Sequence, residues 1–185
     1  KNTIKSCVEA VLKADIGTLE LEVIISDNNS FDGTKEILSK INDPRVKILY
    51  REKNNGKGAN IKNALKEAKG DLILFQDGDL EYSPTDYLCL IEPFLKFNAD
   101  VVYGSRLTRA KATSIVGFPN YIGNILFTLL ANILFNKIFT DIATGYKIFK
   151  KDIIKNLEIT SDGFEIEPEI TAKISKKKCI KNFQF

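Results

Sequence analysis

The sequence predicts an α/β fold built on a doubly wound, mostly parallel sheet. Strand-like and helix-like segments alternate along residues 3–103. The strand-like segments are continuous apolar runs, which is typical of parallel sheets covered by helices on both faces. Polar clusters follow these strands directly, at the edge where ligands of such sheets bind. A chain of 185 residues suits one domain with one hydrophobic core.

The individual elements follow from the spacing of apolar residues and from residues that start helices. Apolar residues at helical spacing predict the helices, and β-branched apolar runs predict the strands. Pro84 follows Ser83, and proline is favoured in the first turn of a helix. In order, we predict a helix at 3–14, a strand at 21–26, a helix at 33–41, a strand at 46–50, a helix from the glycine-rich turn at 54–58 to about Lys69, a strand at 71–76, a helix from Ser83-Pro84 to about Phe97 and a strand at 100–103.

The composition excludes several classes of active site. The chain contains no histidine, which excludes Ser-His-Asp and Cys-His nucleophile systems and helical His-Glu-x-x-His zinc sites. Its three cysteines form no Cys-x-x-Cys pair, which argues against a disulfide framework and favours a reducing compartment. A net charge of +3 with 28% charged residues is too balanced to predict a nucleic-acid-binding protein. The opening residues 1–3 have no apolar segment behind them, so we expect no signal peptide.

The most informative motif is the segment FQDGDLE at 75–81. It places Asp77 and Asp79 just past a buried strand, where two carboxylates repel each other unless a cation lies between them. Mg²⁺ or Mn²⁺ fits oxygen ligands of this kind, and such an ion binds and neutralises a diphosphate. The alternative is a solvated turn with a capping aspartate. An EF-hand calcium loop is excluded, because Tyr82 and Leu88 replace its required glycine and glutamate.

Two other polar segments are candidate contacts for a nucleotide. Asp27 ends the first strand and can accept hydrogen bonds from a nucleobase or ribose, although a plain turn explains the segment 27–34 nearly as well. Lys57 lies in the turn 54–58, where a lysine and the backbone amides of a helix start form a plausible phosphate cradle. This turn matches neither a Walker loop nor a complete dinucleotide fingerprint.

Charged residues in the second half supply further candidates. Arg106, Arg109 and Lys111 follow the fourth strand and suit phosphate binding, or else form a solvated basic loop. Asp141 and Glu167 lie in the segments DIATGY and FEIEPE and add carboxylates that the sequence alone does not rank.

Residues 112–136 carry no charge, and 121–139 are strongly apolar. Asparagine or threonine recurs at every fourth position from Asn120 to Asn136, which on a helix makes a polar stripe beside a wide apolar face. Three interpretations remain open. A transmembrane span is disfavoured, because asparagine is costly in hydrocarbon and Pro119 and Gly123 interrupt the segment. The others are a buried core helix and a helix lying in the membrane interface or lining an acyl-chain groove.

Taken in order, these segments resemble the family 2 glycosyltransferases of GT-A fold, and in particular the branch that uses polyprenyl phosphates, which includes the dolichyl-phosphate mannose and glucose synthases. The order and spacing of the segments make the resemblance specific, and they cover most of the chain. They are VIISDNNSFDGT (23–34), NNGKGANIKNALKEAKGD (54–71), QDGDLEYSPTDY (76–87), ADVVYGSR (99–106), TDIATGYKIFKKD (140–152) and FEIEPEITAKI (164–174).

The resemblance implies inverting transfer of a sugar from a nucleotide diphosphate donor, a UDP-sugar or GDP-mannose, to a lipid phosphate. It implies a single catalytic domain over 1–185, with a nucleotide-sugar-binding half at 1–106 and an acceptor-side half at 107–185 that contains the apolar helix 121–139. By residue, it implies donor contacts from Asp27, Asn29, Lys57, Asp77, Arg106 and Arg109, a Mg²⁺ or Mn²⁺ site of Asp77, Asp79 and Glu81, and catalytic roles for Asp79, Arg106, Asp141 and Glu167.

Three departures from the family pattern weigh on this assignment. The chain starts in the helix that would follow the family's first strand and stops at Phe185 inside a further strand, so we expect truncation at both ends. Asn28 and Ala143 replace acids that relatives often carry. A transferase with a saccharide acceptor and a catalytically silent nucleotide-sugar-binding protein therefore remain alternatives. The favoured hypothesis places the protein on the cytoplasmic side of a membrane, as a peripheral or monotopic protein.

Overall fold

The computed structural model describes residues 3–105, 118–142, 144–177 and 180–184. It contains strands and helices in alternation, with one short 3₁₀ turn at Pro84–Asp86. The helices are α1 Ile4–Leu12, α2 Thr34–Leu38, α3 Lys57–Glu67, α4 Tyr87–Phe97, α5 Phe118–Phe135, α6 Lys151–Lys155 and α7 Ile166–Lys176. The strands are β1 Val23–Asp27, β2 Val46–Tyr50, β3 Leu72–Leu74, β4 Val101–Tyr103, β5 Lys147–Lys150 and β6 Asn182–Gln184.

The strands form two sheets. β1 and β2 pair in parallel, and the second sheet has the order β3-β5-β4-β6. In that second sheet β5 runs antiparallel to β3 and β4, whereas β6 runs parallel to β4. β3, β4 and β6 therefore share one direction, and the residues that follow β3 and β4 emerge at the same edge.

The sheet is buried on both faces, as a doubly wound fold requires. Successive residues of β4 point to opposite sides. Val101 and Tyr103 belong to one apolar cluster, which includes the isoleucines of α7. Val102 belongs to the other cluster, which is built with α1 and α4. The α/β fold expected from the apolar runs is confirmed, and each predicted strand is present within two residues of its expected ends.

The helix expected within 121–139 is shorter at its end than the apolar pattern. α5 ends at Phe135, and Asn136 adopts a φ of 49°, in the left-handed region where helices commonly end. Phe139 then turns back into the core. Its backbone N–H donates to Asn132 Oδ1 at 2.7 Å, and Asn132 Nδ2 donates to the Phe139 carbonyl at 2.9 Å. The side chain of Asn132 thereby pins the segment after the helix to the helix itself.

The polar stripe of α5 faces the protein and its apolar face points outward. Asn124 Nδ2 donates to Asp141 Oδ1 at 2.9 Å, and Thr128 is buried. The interpretation of this segment as a buried core helix, one of the three left open, is therefore wrong, because burying the asparagine stripe leaves most large apolar side chains outside. The exposed ones are Tyr121, Ile122, Ile125, Leu126, Phe127, Leu129, Leu130, Ile133 and Leu134. Within the described residues, none of the helices combines the length and the apolar character needed to cross a bilayer.

Candidate active site

The loop after β3 carries the two aspartates of the DGD motif and is folded back on itself. Phe75 N donates to the Lys147 carbonyl at 3.1 Å, which continues the pairing of β3 with β5 beyond the strand. Gln76 Nε2 then donates to the carbonyls of Asp77 and Tyr82, at 2.9 and 3.3 Å. One amide side chain thus ties both ends of the loop together, and the aspartates are presented at the carboxyl end of the sheet.

Three distant segments bring charged side chains together beside this loop. Lys57 Nζ, at the start of α3, lies 2.9 Å from Asp77 Oδ2 and 3.1 Å from Glu167 Oε1 at the start of α7. Burial disfavours the charged ammonium, but the carboxylates of Glu167 and Asp77 outweigh it and raise the pKa of Lys57. The predicted donor-site residues Lys57 and Asp77 and the predicted catalytic residue Glu167 are therefore neighbours.

Behind Glu167 lies a lysine that the sequence analysis did not single out. The ammonium of Lys147, at the start of β5, pairs with Glu167 Oε2 and donates to the Thr144 carbonyl, and its side chain is fully buried. It also lies 5.7 Å from the centre of the Tyr103 ring, which is the geometry of a cation–π contact. Burial lowers the pKa of Lys147, and Glu167 opposes that shift. The sequence offered one signal of this residue: Lys147 directly precedes apolar residues of a strand.

Gly145 lets the loop before β5 approach Asp77 closely. A Cβ at this position would lie 2.6 Å from Asp77 Oδ2 and 3.2 Å from the ring of Tyr82. The backbone N–H of Gly145 donates to the Tyr82 hydroxyl at 2.8 Å, and the Tyr82 ring stacks on Tyr146 at 4.7 Å. The two loops at the site are therefore locked to each other, with the Asp77 carboxylate between them.

The structure does not preform the expected three-ligand metal site. Asp79 and Glu81 are exposed, and Asp79 Oδ1 accepts the backbone N–H of Glu81 at 3.0 Å. Across the described residues, no three acidic or cysteine side chains are grouped so as to hold a metal ion. Asp77 and Asp79 both act on the thiol of Cys7: burial and then the charges of Asp79 and Asp77 raise its pKa. The roles of Asp77, Asp79 and Glu81 as metal ligands stay predictions.

The segment after β1 is held by its own side chains. Asp27 is buried, and its Oδ2 accepts the backbone N–H of Ser30 at 3.1 Å. Asn29 has a φ of 62° and accepts from Lys35 Nζ at 2.6 Å. Asp27 thus closes the turn that the sequence analysis gave as the alternative to a nucleoside contact. Its role and that of Asn29 toward a nucleoside stay predictions.

The backbone at the start of α3 is already occupied. Gly58 N donates to the Gly163 carbonyl at 3.2 Å, and Ala59 N donates to the Asp162 carbonyl at 3.0 Å. A Cβ on Gly56 would come within 2.4 Å of the Asp162 carbonyl oxygen, so the two segments touch through backbone atoms. The amides of Gly58 and Ala59 are therefore not available to a phosphate, because they bond within the protein. The side chain of Lys57 stays a candidate contact.

Asp141 lies at the inner side of α5. It is fully buried and accepts from Asn124, and Ile142 N donates to Thr128 Oγ1 at 3.4 Å. The loop that leads to Thr144 and Gly145 is thereby attached to α5. Arg106, Arg109, Lys111 and Ala143 lie outside the described residues, so the predicted phosphate contacts of the basic residues stay predictions.

Known proteins similar to this chain are glycosyltransferases. The family model described as glycosyl transferase family 2 matches residues 1–158. The glycosyltransferase AglJ of Haloferax volcanii is 27% identical over 84% of this chain and 50% of its own length. A dolichol-phosphate mannosyltransferase of Pyrococcus furiosus is 28% identical over 88% of this chain and 47% of its own length. The chain thus spans about half the length of these curated relatives.

Among solved structures, glucosyl-3-phosphoglycerate synthase of Mycobacterium tuberculosis superposes with a TM-score of 0.74 at 18% identity. The superposition covers 98% of this chain and 63% of that one. The GT-A fold and the family resemblance inferred from the sequence are both confirmed. With a matched family model over most of its length, the chain belongs to glycosyl transferase family 2.

Proposed function

We propose that this protein transfers a sugar, with inversion, from a nucleotide diphosphate donor to a polyprenyl phosphate at a membrane surface, and that the transfer requires Mg²⁺ or Mn²⁺. The observation that carries the proposal is the juxtaposition of Asp77, Asp79 and Lys57 at the carboxyl end of β3 in a chain of this family. Carboxylates and an ammonium at one edge suit a metal-bound diphosphate.

The carboxylates of the site supply only part of the oxygen ligands that a hard divalent ion needs. Mg²⁺ in proteins is commonly bound through one or two carboxylates together with substrate phosphates and water. Asp77 and Asp79 supply two carboxylates, so the diphosphate of the donor has to supply further oxygens. A metal bound there would neutralise the charge that develops on the leaving diphosphate. The similar synthase of Mycobacterium tuberculosis was crystallised in complex with Mn²⁺ and uridine diphosphate, which supports this assignment.

The chemistry asks little of a general base. An oxygen of the acceptor phosphate attacks the anomeric carbon, the bond from that carbon to the diphosphate breaks, and the nucleoside diphosphate leaves. A phosphate is already ionised at neutral pH, so no proton has to be removed first. Both oxygens of Glu167 are engaged by ammonium groups. We therefore assign Glu167 to holding Lys57, and leave Asp141, Arg106 and Arg109 as candidates for the acceptor side.

The lipid nature of the acceptor is supported by α5. An outward face of large apolar side chains beside an uncharged polar stripe is the pattern of a helix that lies in a membrane interface. Asn124 connects this helix to Asp141 in the loop beside the site. An acceptor held with its chain along α5 therefore presents its phosphate near that loop. The relative named a dolichol-phosphate mannosyltransferase supports the same acceptor class.

The test is a transfer assay with radiolabelled UDP-sugars and GDP-mannose, offered to polyprenyl phosphate in vesicles, to an oligosaccharide and to phosphoglyceric acid. We expect Mn²⁺- or Mg²⁺-dependent label in the lipid fraction, lost with chelator. Asp77→Asn and Asp79→Asn should abolish it, while Asp71→Asn, at the opposite end of β3 and fully exposed, should not. Transfer only to a soluble acceptor would overturn the lipid assignment. Donor binding without transfer to any acceptor would favour a silent binding protein.

A further inference from the structure

Glu167 is paired with two cations. Its carboxylate contacts two ammonium groups, Lys57 through Oε1 and Lys147 through Oε2. One carboxylate neutralises one of them. Lys57 in turn contacts a second carboxylate, that of Asp77. The four side chains therefore form a row that alternates in sign, and its fully buried member Lys147 is also within reach of the charge of Asp141.

The position of each lysine decides where its charge acts. Lys147 is enclosed by Glu167, the Thr144 carbonyl and the Tyr103 ring, so its charge reaches no ligand directly. Lys57 keeps a fifth of its side chain exposed and contacts Asp77. Without Lys147, one lysine would serve two carboxylates. With Lys147 present, Glu167 is already neutralised, and the charge of Lys57 is left to act beside Asp77 at the edge of the site.

Stability alone gives a weak reason for such an arrangement. A buried ion pair recovers its desolvation cost only with good geometry, and apolar replacements of similar size are often neutral or stabilising. β5 is otherwise an apolar strand with Ile148 and Phe149 in the core, where a methionine in place of Lys147 has suitable surroundings. A charge at this position therefore points to the site that Glu167 and Lys57 line.

We propose that Lys147 is a positioning residue of the donor site: by neutralising Glu167, it leaves the Lys57 ammonium to act beside Asp77, where it attracts the bound diphosphate. The inference rests on the proposed function in that the anion is taken to be a nucleoside diphosphate. Lys147 touches no substrate and acts only through Glu167 and Lys57.

The experiment measures binding of UDP and of GDP by titration calorimetry in Mn²⁺, with the folded fraction of each variant followed by circular dichroism. Lys147→Met should weaken binding of the preferred nucleotide about tenfold, or about 1.4 kcal/mol. The double variant Lys147→Met with Glu167→Gln should restore it to within about threefold of wild type, because both buried charges are then removed. Lys150→Met is the matched control, since Lys150 also lies in β5 but pairs with Asp100 away from the site.

A double-mutant cycle separates this role from a purely structural one. If Lys147 acts through Lys57, adding Lys147→Met to Lys57→Met should cost no further affinity. Equal affinity of wild type and a folded Lys147→Met variant would overturn the inference. If that variant does not fold, the double variant decides, and binding more than tenfold weaker than wild type would overturn it. A wild type that binds neither nucleotide would overturn the proposed function together with the inference.

Discussion

Gly145→Ala tests how closely the loop before β5 has to approach Asp77. The added methyl group would lie 2.6 Å from Asp77 Oδ2, closer than real Cβ contacts come, so the carboxylate or the loop must shift. The φ of Gly145 lies outside the left-handed region, so alanine is compatible with the backbone and the clash with Asp77 is the main effect. The substitution therefore perturbs the site mainly at Asp77, with a lesser contact to the ring of Tyr82, and leaves the chemistry of Asp77 unchanged.

The size of the effect follows from what Asp77 contacts. Its charge-assisted bond to Lys57 at 2.9 Å belongs to a class worth about 1.5–3 kcal/mol, and a displaced carboxylate also serves a metal less well. We expect Mn²⁺-dependent UDP or GDP binding to weaken roughly ten- to a hundredfold, or about 1.4–2.8 kcal/mol. The free energy of unfolding should change by no more than about 1 kcal/mol, because alanine also reduces the entropy of the unfolded chain.

Titration calorimetry of the nucleotide in Mn²⁺ and chemical denaturation give the two quantities. Gly70→Ala is the matched control, since its added methyl group meets only the Leu72 carbonyl at 3.4 Å, an ordinary contact far from the loop of Asp77. Unchanged nucleotide affinity in Gly145→Ala would show that Asp77 does not need its observed position, and the proposed use of Asp77 would fail with it.

Two further predictions concern α5 and the loop that covers α3. Leu126→Asp should leave the fold intact, because Leu126 is 61% exposed, but it should release the protein from vesicles. Ala131→Asp, on the inner face of the helix, should instead unfold the protein. Sedimentation with vesicles and thermal melting check both variants, and a Leu126→Asp variant that still sediments would contradict the interfacial role. The carboxylate of Glu169 accepts hydrogen bonds from the backbone amides of Thr160 and Ser161. Burial raises the pKa of Glu169, but Lys173 and these two bonds outweigh burial and hold the pKa well below its ordinary 4.5. Its stabilisation is therefore present above about pH 4.5 and declines as the pH falls toward the lowered value. Glu169→Gln should cost about 1–3 kcal/mol at pH 7 and clearly less at pH 3, as measured by urea unfolding; an equal cost at both would refute this origin.

The rule that ligands bind past the carboxyl ends of strands was enough to predict where Asp77 and Asp79 lie. Asp77 and Asp79 follow a buried strand, so they were expected at the ligand-binding edge of the sheet. The pairing of Lys57 with Glu167 was not predictable, because those residues lie in elements with no local pattern in common. Nor did the spacing show that Gly58 and Ala59 donate to the loop at 162–163.

The stripe of α5 illustrates a different limit. Its four-residue period was plain in the sequence, but a period does not say which face turns inward. That choice depends on partners elsewhere in the chain, here Asp141 and the backbone of Phe139, which give the asparagine side chains bonds that an apolar core does not offer. Lys147 was not predicted for a related reason, because a lysine beside an apolar run is normally a solvent-exposed residue at the end of a strand.

The place of β5 between β3 and β4 has a consequence for how the chain acquires its structure. β3 and β4 are both made before β5, yet neither can complete its backbone hydrogen bonds in this sheet until residues 147–150 arrive. During synthesis the two earlier strands wait as open edges, the state in which chains most readily associate with one another. A ribosome-bound chain that ends near residue 106 should therefore be sensitive to protease. Longer chains should become protected abruptly once β5 has emerged.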